Sequence, residues 1–195
     1  LDRSMDVLKH ANAFGTSKYG GVLAVVGDDH ACKSSTLPHQ SDHMFIGATC
    51  PVLNPAGVQE VLDLGVYGWE LSRYSGCWVG MKVITENCDA AISADIDPGR
   101  VKIIFPEDYV LPEGGVHGRW PDTPLAQEER LQRHKIYAAL AFARANHLNR
   151  ITLDSPNARL GIVTTGKSYL DTLQALDDLG IDEDLAAEIG LRLFK

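Results

Sequence analysis

The sequence has no surplus of positive charge and no long apolar run. Its 195 residues include 18 Lys+Arg against 26 Asp+Glu, which gives a formal net charge of −8 at pH 7. Nucleic-acid-binding domains carry a basic face, so this balance argues against a nucleic-acid partner. No window approaches the roughly 18 consecutive apolar residues of a membrane-spanning helix, and the first four residues contain neither an initiator Met nor the start of a signal peptide. We therefore expect a cytoplasmic protein with no membrane partner, and a chain that begins inside a longer protein.

The cysteines lack the spacing of a disulfide framework. None belongs to a C-x-x-C pair, and they stand at Cys32, Cys50, Cys77 and Cys88. Two of them lie in apolar runs, where cysteine behaves as a small buried side chain. We expect all four to be reduced, as in a reducing compartment.

Metal-binding residues crowd into one stretch without the spacing of a structural zinc site. Four candidates fall within fourteen residues: His30, Cys32, His39 and His43. The pair His39 and His43 would share one helical face, but paired ligand elements on both sides are missing. The prediction is that the chain binds no metal.

Buried strands alternate with helices along the chain. Gly21-Val-Leu-Ala-Val-Val-Gly27 is a short apolar run between glycines, and Thr49-Cys-Pro-Val-Leu53 and Cys77-Trp-Val-Gly-Met-Lys-Val-Ile84 are further strands. Asn54 and Pro55 are expected to cap and begin the helix between the last two. Such non-alternating apolar strands separated by helices predict an α/β fold with a parallel sheet.

The second half predicts a connector, a long helix and a new α/β unit. Residues 101–105 are expected to form another strand, and residues 106–123, rich in Pro and Gly, a surface connector. Thr123 should cap a long helix with Pro124 at its first position. The pattern of apolar residues changes near residues 145–158, where a second α/β unit is expected to begin. Residues 159–164 then predict a buried strand, and Ser168 with Asp171 predicts a capping box for the next helix.

Residues 161–168, Gly-Ile-Val-Thr-Thr-Gly-Lys-Ser, match the Walker A pattern letter for letter. The four residues between the glycines include Ile, Val and two Thr, all β-branched, so the strand should run through them. The remaining turn would be too short to cradle a phosphate. We expect a strand-to-helix turn, which leaves a nucleotide-binding module or a non-catalytic interaction domain as alternative functions.

The most unusual stretch follows the first strand. Residues 27–41 place two acids, two imidazoles, four hydroxyls and an amide directly after the carboxyl end of a buried strand. Ligands of open parallel sheets bind at that edge. An ordinary polar loop is the alternative that composition alone allows.

Several long motifs together resemble one enzyme family. They are Gly27-Asp-Asp-His-x-Cys-x-Ser-Ser-Thr-x-x-His-Gln-Ser41, Leu53-Asn-Pro-Ala-Gly-Val-Gln-Glu60, Tyr67-Gly-Trp69, Leu71-Ser-Arg73, Ser75-Gly-Cys-Trp-Val-Gly80, Arg119-Trp-Pro-Asp-Thr-Pro-Leu-Ala126, Arg133-His-Lys135 and Gly161-Ile-Val-Thr-Thr-Gly-Lys-Ser168. In these blocks the sequence resembles the large fused indolepyruvate ferredoxin oxidoreductases of bacteria, which belong to the 2-oxoacid:ferredoxin oxidoreductases. The resemblance extends over most of the 195 residues.

The resemblance implies an internal fragment of such an enzyme. Residues 1–145 would be the C-terminal half of a Pyr-type thiamine diphosphate-binding domain with its connector, and residues 146–195 the start of a transketolase-C-like α/β domain. The activating glutamate, the G-D-G…N metal–diphosphate motif and the cysteine clusters of the family have no counterpart in the 195 residues. The fragment alone is therefore expected to be inactive and free of cofactors.

For the intact enzyme, the resemblance implies oxidative decarboxylation of aryl 2-oxo acids such as indolepyruvate. The acyl group would pass to coenzyme A and the electrons to ferredoxin. The cofactors would be thiamine diphosphate with Mg²⁺ and 4Fe–4S clusters. The partners would be the remaining domains of the same polypeptide and, in a homo-oligomer, further copies.

The resemblance also suggests which residues face the substrate. His30 and His39 are the candidate catalytic residues, as proton donors or carboxylate partners. Further residues expected near the substrate or cofactor are Arg3, Asp28, Asp29, Lys33, Ser34, Ser35, Thr36 and Gln40.

Overall fold

A parallel three-stranded sheet forms the centre of the first part of the molecule. The computed structural model describes residues 2–195. Strands β1 (Leu23–Asp28), β2 (Val52–Leu53) and β3 (Val79–Ile84) pair in the order β1-β3-β2, all parallel. The predicted α/β fold with a parallel sheet is confirmed.

Helices surround this sheet. They are α1 (Met5–Phe14), which follows a 3-10 turn at Asp2–Ser4, α2 (Asp42–Gly47), α3 (Val58–Ser75), α4 (Thr85–Cys88), α5 (Pro124–Arg130) and α6 (Ile136–Ala145). A π-helical segment, Leu131–Lys135, joins α5 to α6 into the long helix that the sequence predicts. Thr123 caps it as predicted, since its Oγ1 accepts a hydrogen bond from the N–H of Ala126 at 3.3 Å.

A second three-stranded sheet follows. Strands β4 (Ile151–Leu153), β5 (Leu160–Val163) and β6 (Leu191–Phe194) pair in the order β4-β6-β5, with β4 antiparallel and β5 parallel to β6. Helices α7 (Lys167–Asp178) and α8 (Glu183–Ile189) connect β5 to β6. The predictions of buried strands at 21–27 and at 159–164 are wrong in burial. Both β1 and β5 are edge strands, with Val25 56% and Val163 79% exposed.

Three local predictions are corrected by the hydrogen bonds. Residues 101–105 form no strand; the side chain of Asn146 donates to the carbonyl of Ile104 and accepts from its N–H, both at 2.8 Å, in place of a neighbouring strand. Helix α3 begins at Val58 after Gly57, so Asn54 does not cap it. Ser168 makes no capping bond, since α7 begins one residue earlier at Lys167.

Each face of the first sheet is covered by apolar side chains. On one face, Phe142 and Leu71 from α6 and α3 pack on Val79 and Met81 of β3. On the other face, Phe45 of α2 lies against Gly80 so closely that an added Cβ would come within 2.6 Å of its ring. The first sheet is therefore fixed from both sides, which gives its carboxyl edge a rigid base.

Two further features follow from the described residues. Within residues 2–195 no helix combines the length and hydropathy required to cross a bilayer. The four cysteines are all free thiols, with Cys50 and Cys77 buried and Cys88 exposed.

Candidate active site

A cleft of about 400 Å³ lies where the three parallel strands of the first sheet end. Asp28 and Ile84 are the last residues of β1 and β3, and Asn54 directly follows β2. The volume falls within the range of about 300–1,000 Å³ that small-molecule sites occupy. Charged and polar side chains dominate the lining: Asp28, Asp29, His30, Lys33, Asn54, Lys82, Thr85, Glu86, Thr165, Lys167, Ser168 and Asp171.

The loop of residues 28–41 forms one wall of the cleft and is closed at its base by hydrogen bonds. The carboxylate of Asp28 is buried and accepts from the hydroxyl of Ser41 at 2.6 Å and from its N–H at 2.9 Å. Next to this pair, the N–H of His39 donates to the carbonyl of Asp29 at 2.9 Å, in an isolated antiparallel bridge. Both ends of the loop are therefore tied together at the end of β1.

The side chain of Asp29 organises the loop from within. Its carboxylate accepts from the backbone N–H groups of Lys33 at 2.8 Å, Ser34 at 2.8 Å and Ser35 at 3.0 Å. These bonds, that of Ser34 first, lower the pKa of Asp29 to about 2. Because hydrogen bonds to an ionised carboxylate hold it in that form, Asp29 is a structural anion of the loop and is unsuited to proton transfer near neutral pH.

The two histidines proposed as catalytic line a smaller neighbouring cleft of about 170 Å³. The Nε2 atom of His30 lies 3.7 Å from Oδ2 of Asp28, so the buried carboxylate faces a ring whose side chain remains about half exposed. His39 is fixed through its backbone bridge to Asp29. Imidazole is the most frequent proton-transfer group in enzymes. His30 also lines the main cleft, whereas His39 lines only the neighbouring clefts.

The other predicted site residues are only partly brought together. Four of the predicted set line the main cleft: Asp28, Asp29, His30 and Lys33. Three line an adjacent cleft of about 440 Å³: Ser34, Ser35 and His39. Gln40 lines the small cleft with the two histidines. Thr36 and Arg3 are exposed and line none of these three clefts.

Several residues of the cleft were not predicted from the sequence. Lys82, near the end of β3, is buried and donates to Asp42 of α2 at 2.8 Å. Its position within an otherwise apolar strand was the available signal, because a buried lysine requires a partner. Glu86 gave no such signal, because it lies in the short helix α4 that directly follows β3. Lys167 belongs to the Walker-like match, but the sequence did not indicate that it would face the loop of residues 28–41.

The cleft also receives the residues of the Walker-like match. Strand β5 includes Gly161 and ends at Val163, and α7 begins at Lys167. Only residues 164–166 lie between them, which is too short for the loop that wraps a β-phosphate in P-loop proteins. The predicted strand-to-helix turn is thus confirmed, and it places Thr165, Lys167 and Ser168 opposite the loop of residues 28–41.

Metal and cluster ligands do not assemble in this structure. Among residues 2–195, no group of three or more His, Cys, Asp or Glu side chains has the arrangement of a metal site. The acids of the loop are already engaged, Asp28 with Ser41 and Asp29 with three N–H groups. These residues therefore do not fit a magnesium–diphosphate group or an iron–sulfur cluster.

Comparison with known proteins points to one class of enzyme subunit. Residues 150–195 match the family model described as indolepyruvate oxidoreductase domain. Over 96% of its length the chain is 27% identical to an indolepyruvate oxidoreductase subunit IorA of Pyrococcus abyssi and 26% identical to that of Pyrococcus horikoshii. Over 92% it is 24% identical to the subunit of the same name from Methanothermobacter thermautotrophicus.

Over most of its length the chain is therefore similar to indolepyruvate oxidoreductase subunits. The chain spans about a third of these relatives, 31% of the two Pyrococcus subunits and 30% of the Methanothermobacter subunit. No solved structure matches the chain at a significant level.

Proposed function

We propose that the chain forms part of an oxidoreductase that oxidatively decarboxylates aryl 2-oxo acids such as indolepyruvate. In the intact enzyme the acyl group is transferred to coenzyme A and the electrons to ferredoxin. The chain supplies one wall of the active site and is inactive by itself.

The observation that carries this proposal is the position of the loop of residues 28–41. A polar loop with two imidazoles stands at the carboxyl edge of a parallel sheet, where α/β enzymes bind their ligands. The similarity to indolepyruvate oxidoreductase subunits supports the choice of reaction. In this proposal, His30 and His39 act as proton donors or as partners of the substrate carboxylate.

The cofactors of the reaction require residues outside this chain. Thiamine diphosphate, its Mg²⁺ and 4Fe–4S clusters belong to the intact enzyme in this proposal, and the donor set of the described residues does not fit the metal–diphosphate end or a cluster. We therefore assign no step of the reaction through these groups to residues of this chain.

The domain boundaries are part of the same proposal. Residues 1–145 correspond to the C-terminal part of a Pyr-type domain and its connector, and residues 146–195 to the start of a transketolase-C-like domain. The remaining domains of a longer polypeptide, further copies in a homo-oligomer, and a cytoplasmic location complete it.

The test uses the intact enzyme with substitutions in the two histidines. We expect His30→Ala and His39→Ala each to lower the turnover of indolepyruvate by about 10²–10⁴-fold, the contribution of a positioned proton-transfer group. His10→Ala is the matched control, because its side chain is 81% exposed and lies on α1, away from the loop. Wild-type rates in both active-site variants would remove these histidines from the mechanism.

Two further observations bear on the placement of the chain. The coding sequence on either side should contain the G-D-G…N motif and cysteine clusters, and stop codons directly on both sides would contradict the proposal. The isolated chain should show no saturable binding of thiamine diphosphate at micromolar concentration. Tight binding would mean that the chain occupies a different part of the enzyme.

A further inference from the structure

Two motifs that lie about 130 residues apart in the sequence face each other across the main cleft. The turn of residues 164–166 is held against the first sheet, since Nδ2 of Asn54 donates to Oγ1 of Thr165 at 3.3 Å. Gly166 has a φ of +58°, and a Cβ there would lie 2.6 Å from Oδ1 of Asn54. This close approach fixes where Lys167, the next residue, enters the cleft.

Glu86 is the acid that faces lysines from both sides of the cleft. Lys33 of the loop lies 3.4 Å from its Oε1 atom. A hydrogen bond from its own backbone N–H is the largest cause that lowers the pKa of Glu86, and the charges of Lys33 and Lys167 lower it further. Glu86 therefore pairs with Lys33 of the loop and lines the same cleft as Lys167 of α7, whose ion-pair partner is Asp171 at 2.5 Å.

The lysines that face Glu86 are held only by weak ion pairs. The side chains of Lys33 and Glu86 are 58% and 37% exposed, and those of Lys167 and its helix partner Asp171 are 40% and 58% exposed. Exposed pairs of this kind contribute little to stability, so both lysines are free to exchange partners. Lys82 differs, because its side chain is only 8% exposed and its pair with Asp42 ties α2 to β3.

We propose that the cleft binds an anionic group, a carboxylate or a phosphate, between Lys33 and Lys167, and that Glu86 competes with this group for the two lysines. The other acids of the loop do not compete in the same way. Asp28 and Asp29 are satisfied by Ser41 and by backbone N–H groups within the loop. The site is a property of the cleft and stands whether or not the proposed oxidoreductase function is correct.

This arrangement gives opposite effects for lysine and glutamate substitutions. Lys33→Met and Lys167→Met should each weaken anion binding by about tenfold, the loss of one charge-assisted contact. Glu86→Gln should tighten it by about two- to fivefold, because an exposed competing pair is removed. Residues with a merely structural role would not give this pattern of signs.

The experiment is a calorimetric titration of the 195-residue chain at low ionic strength. Inorganic pyrophosphate and phenylpyruvate serve as probes at millimolar concentration, above the micromolar range in which no saturable binding of thiamine diphosphate is expected. Lys102→Met is the control because Lys102 is exposed and does not line the cleft. The far-ultraviolet circular dichroism and melting temperature of each variant verify that it is folded.

The two probes distinguish the sources of the anion. Tighter binding of pyrophosphate assigns the site to a phosphate-bearing ligand, and tighter binding of phenylpyruvate assigns it to a carboxylate; either result supports the proposal. Absence of saturable binding of both probes overturns it. Unchanged affinity in Lys167→Met, or weaker binding in Glu86→Gln, overturns it as well.

Discussion

The two sheets of this protein differ in how much of their surface is covered. The first is packed on both faces, with Phe45 on one side and Phe142 on the other, and both rings are fully buried. The second has α7 and α8 against its core, while Leu160 and Val163 of β5 are 59% and 79% exposed. Apolar burial is the main stabilising contribution to folding, so the wall of the cleft built on the first sheet is the better anchored one.

The largest expected effect separates the two sheets directly. Phe142→Ala should lower the free energy of unfolding by about 3–5 kcal/mol, because it leaves a cavity in the core beneath the first sheet. Phe194→Ala is the matched variant in the second sheet, where the ring is 38% exposed, and it should cost clearly less. Urea unfolding monitored by circular dichroism measures both, and equal losses would contradict the difference between the sheets.

A second substitution tests whether the loop of residues 28–41 depends on the first sheet through Asp28. In Asp28→Ala no acceptor remains for the N–H and the hydroxyl of Ser41. Leaving a buried donor unsatisfied costs about 1–3 kcal/mol, and we expect a loss in that range together with faster hydrogen exchange at Ser41. Asp171→Ala, on the exposed surface of α7, is the control and should change stability by no more than about 0.5 kcal/mol.

The sequence predicted the first sheet better than the second for a physical reason. Strands β1 and β3 are apolar runs, of which β3 is buried and β1 is a partly exposed edge strand, and such runs can be identified without knowledge of the fold. Residues 101–105 have the same composition, yet the side chain of Asn146 satisfies the backbone there instead of another strand. Tertiary packing decides which group forms hydrogen bonds with the backbone N–H and C=O of such a segment, and the local composition does not indicate it.

The sequence indicated residues 28–41 and, through the Walker-like match, residues 161–168, but it did not indicate that the two stretches face each other. The loop of residues 28–41 is contiguous, so its cluster of polar residues was visible in the sequence. The opposite wall, with Glu86 and Lys167, is assembled from separate helices whose meeting depends on the contact between Asn54 and Thr165. Asn54 was predicted as a helix cap, and no local pattern indicates that its side chain instead bonds to a residue 111 positions later.

A third prediction concerns the buried charge of Lys135. In the second unit, by contrast, Lys167 forms an exposed ion pair with Asp171. Lys135 is fully buried, and its Nζ donates to the carbonyls of Asn12 at 2.6 Å and Ala13 at 3.2 Å. Burial lowers the pKa of Lys135 to about 8 from its usual 10.5. The Lys135 side chain therefore binds more protons in the unfolded chain than in the folded one between these values, and its contribution to the free energy of unfolding should rise by about 1 kcal/mol from pH 8 to pH 9.

Buried thiols limit the pH range in which this rise in the free energy of unfolding can be measured. Burial raises the pKa of Cys50 from 9.0 to about 12. Between these values the thiol keeps its proton in the folded state and loses it in the unfolded one, so its contribution to stability falls with pH and opposes that of Lys135. Lys135→Met should abolish the rise between pH 8 and pH 9, whereas Lys102→Met should retain it. Chemical unfolding at both pH values measures the difference, and an unchanged rise in Lys135→Met would contradict the assignment to this lysine.

The smallest expected effect concerns the first turns of two helices, α5 in the first part of the chain and α7 in the second unit. Thr123 accepts a hydrogen bond from Ala126, so Thr123→Ala should lower the free energy of unfolding by about 1 kcal/mol. The sequence pattern predicts an equal role for Ser168, but Ser168 makes no capping bond, and Ser168→Ala should change stability by less than about 0.5 kcal/mol. Parallel urea titrations measure both variants. A loss near 1 kcal/mol in Ser168→Ala would show that the capping box predicted from the sequence forms in solution, which would shift the start of α7 and with it the position of Lys167 at the cleft.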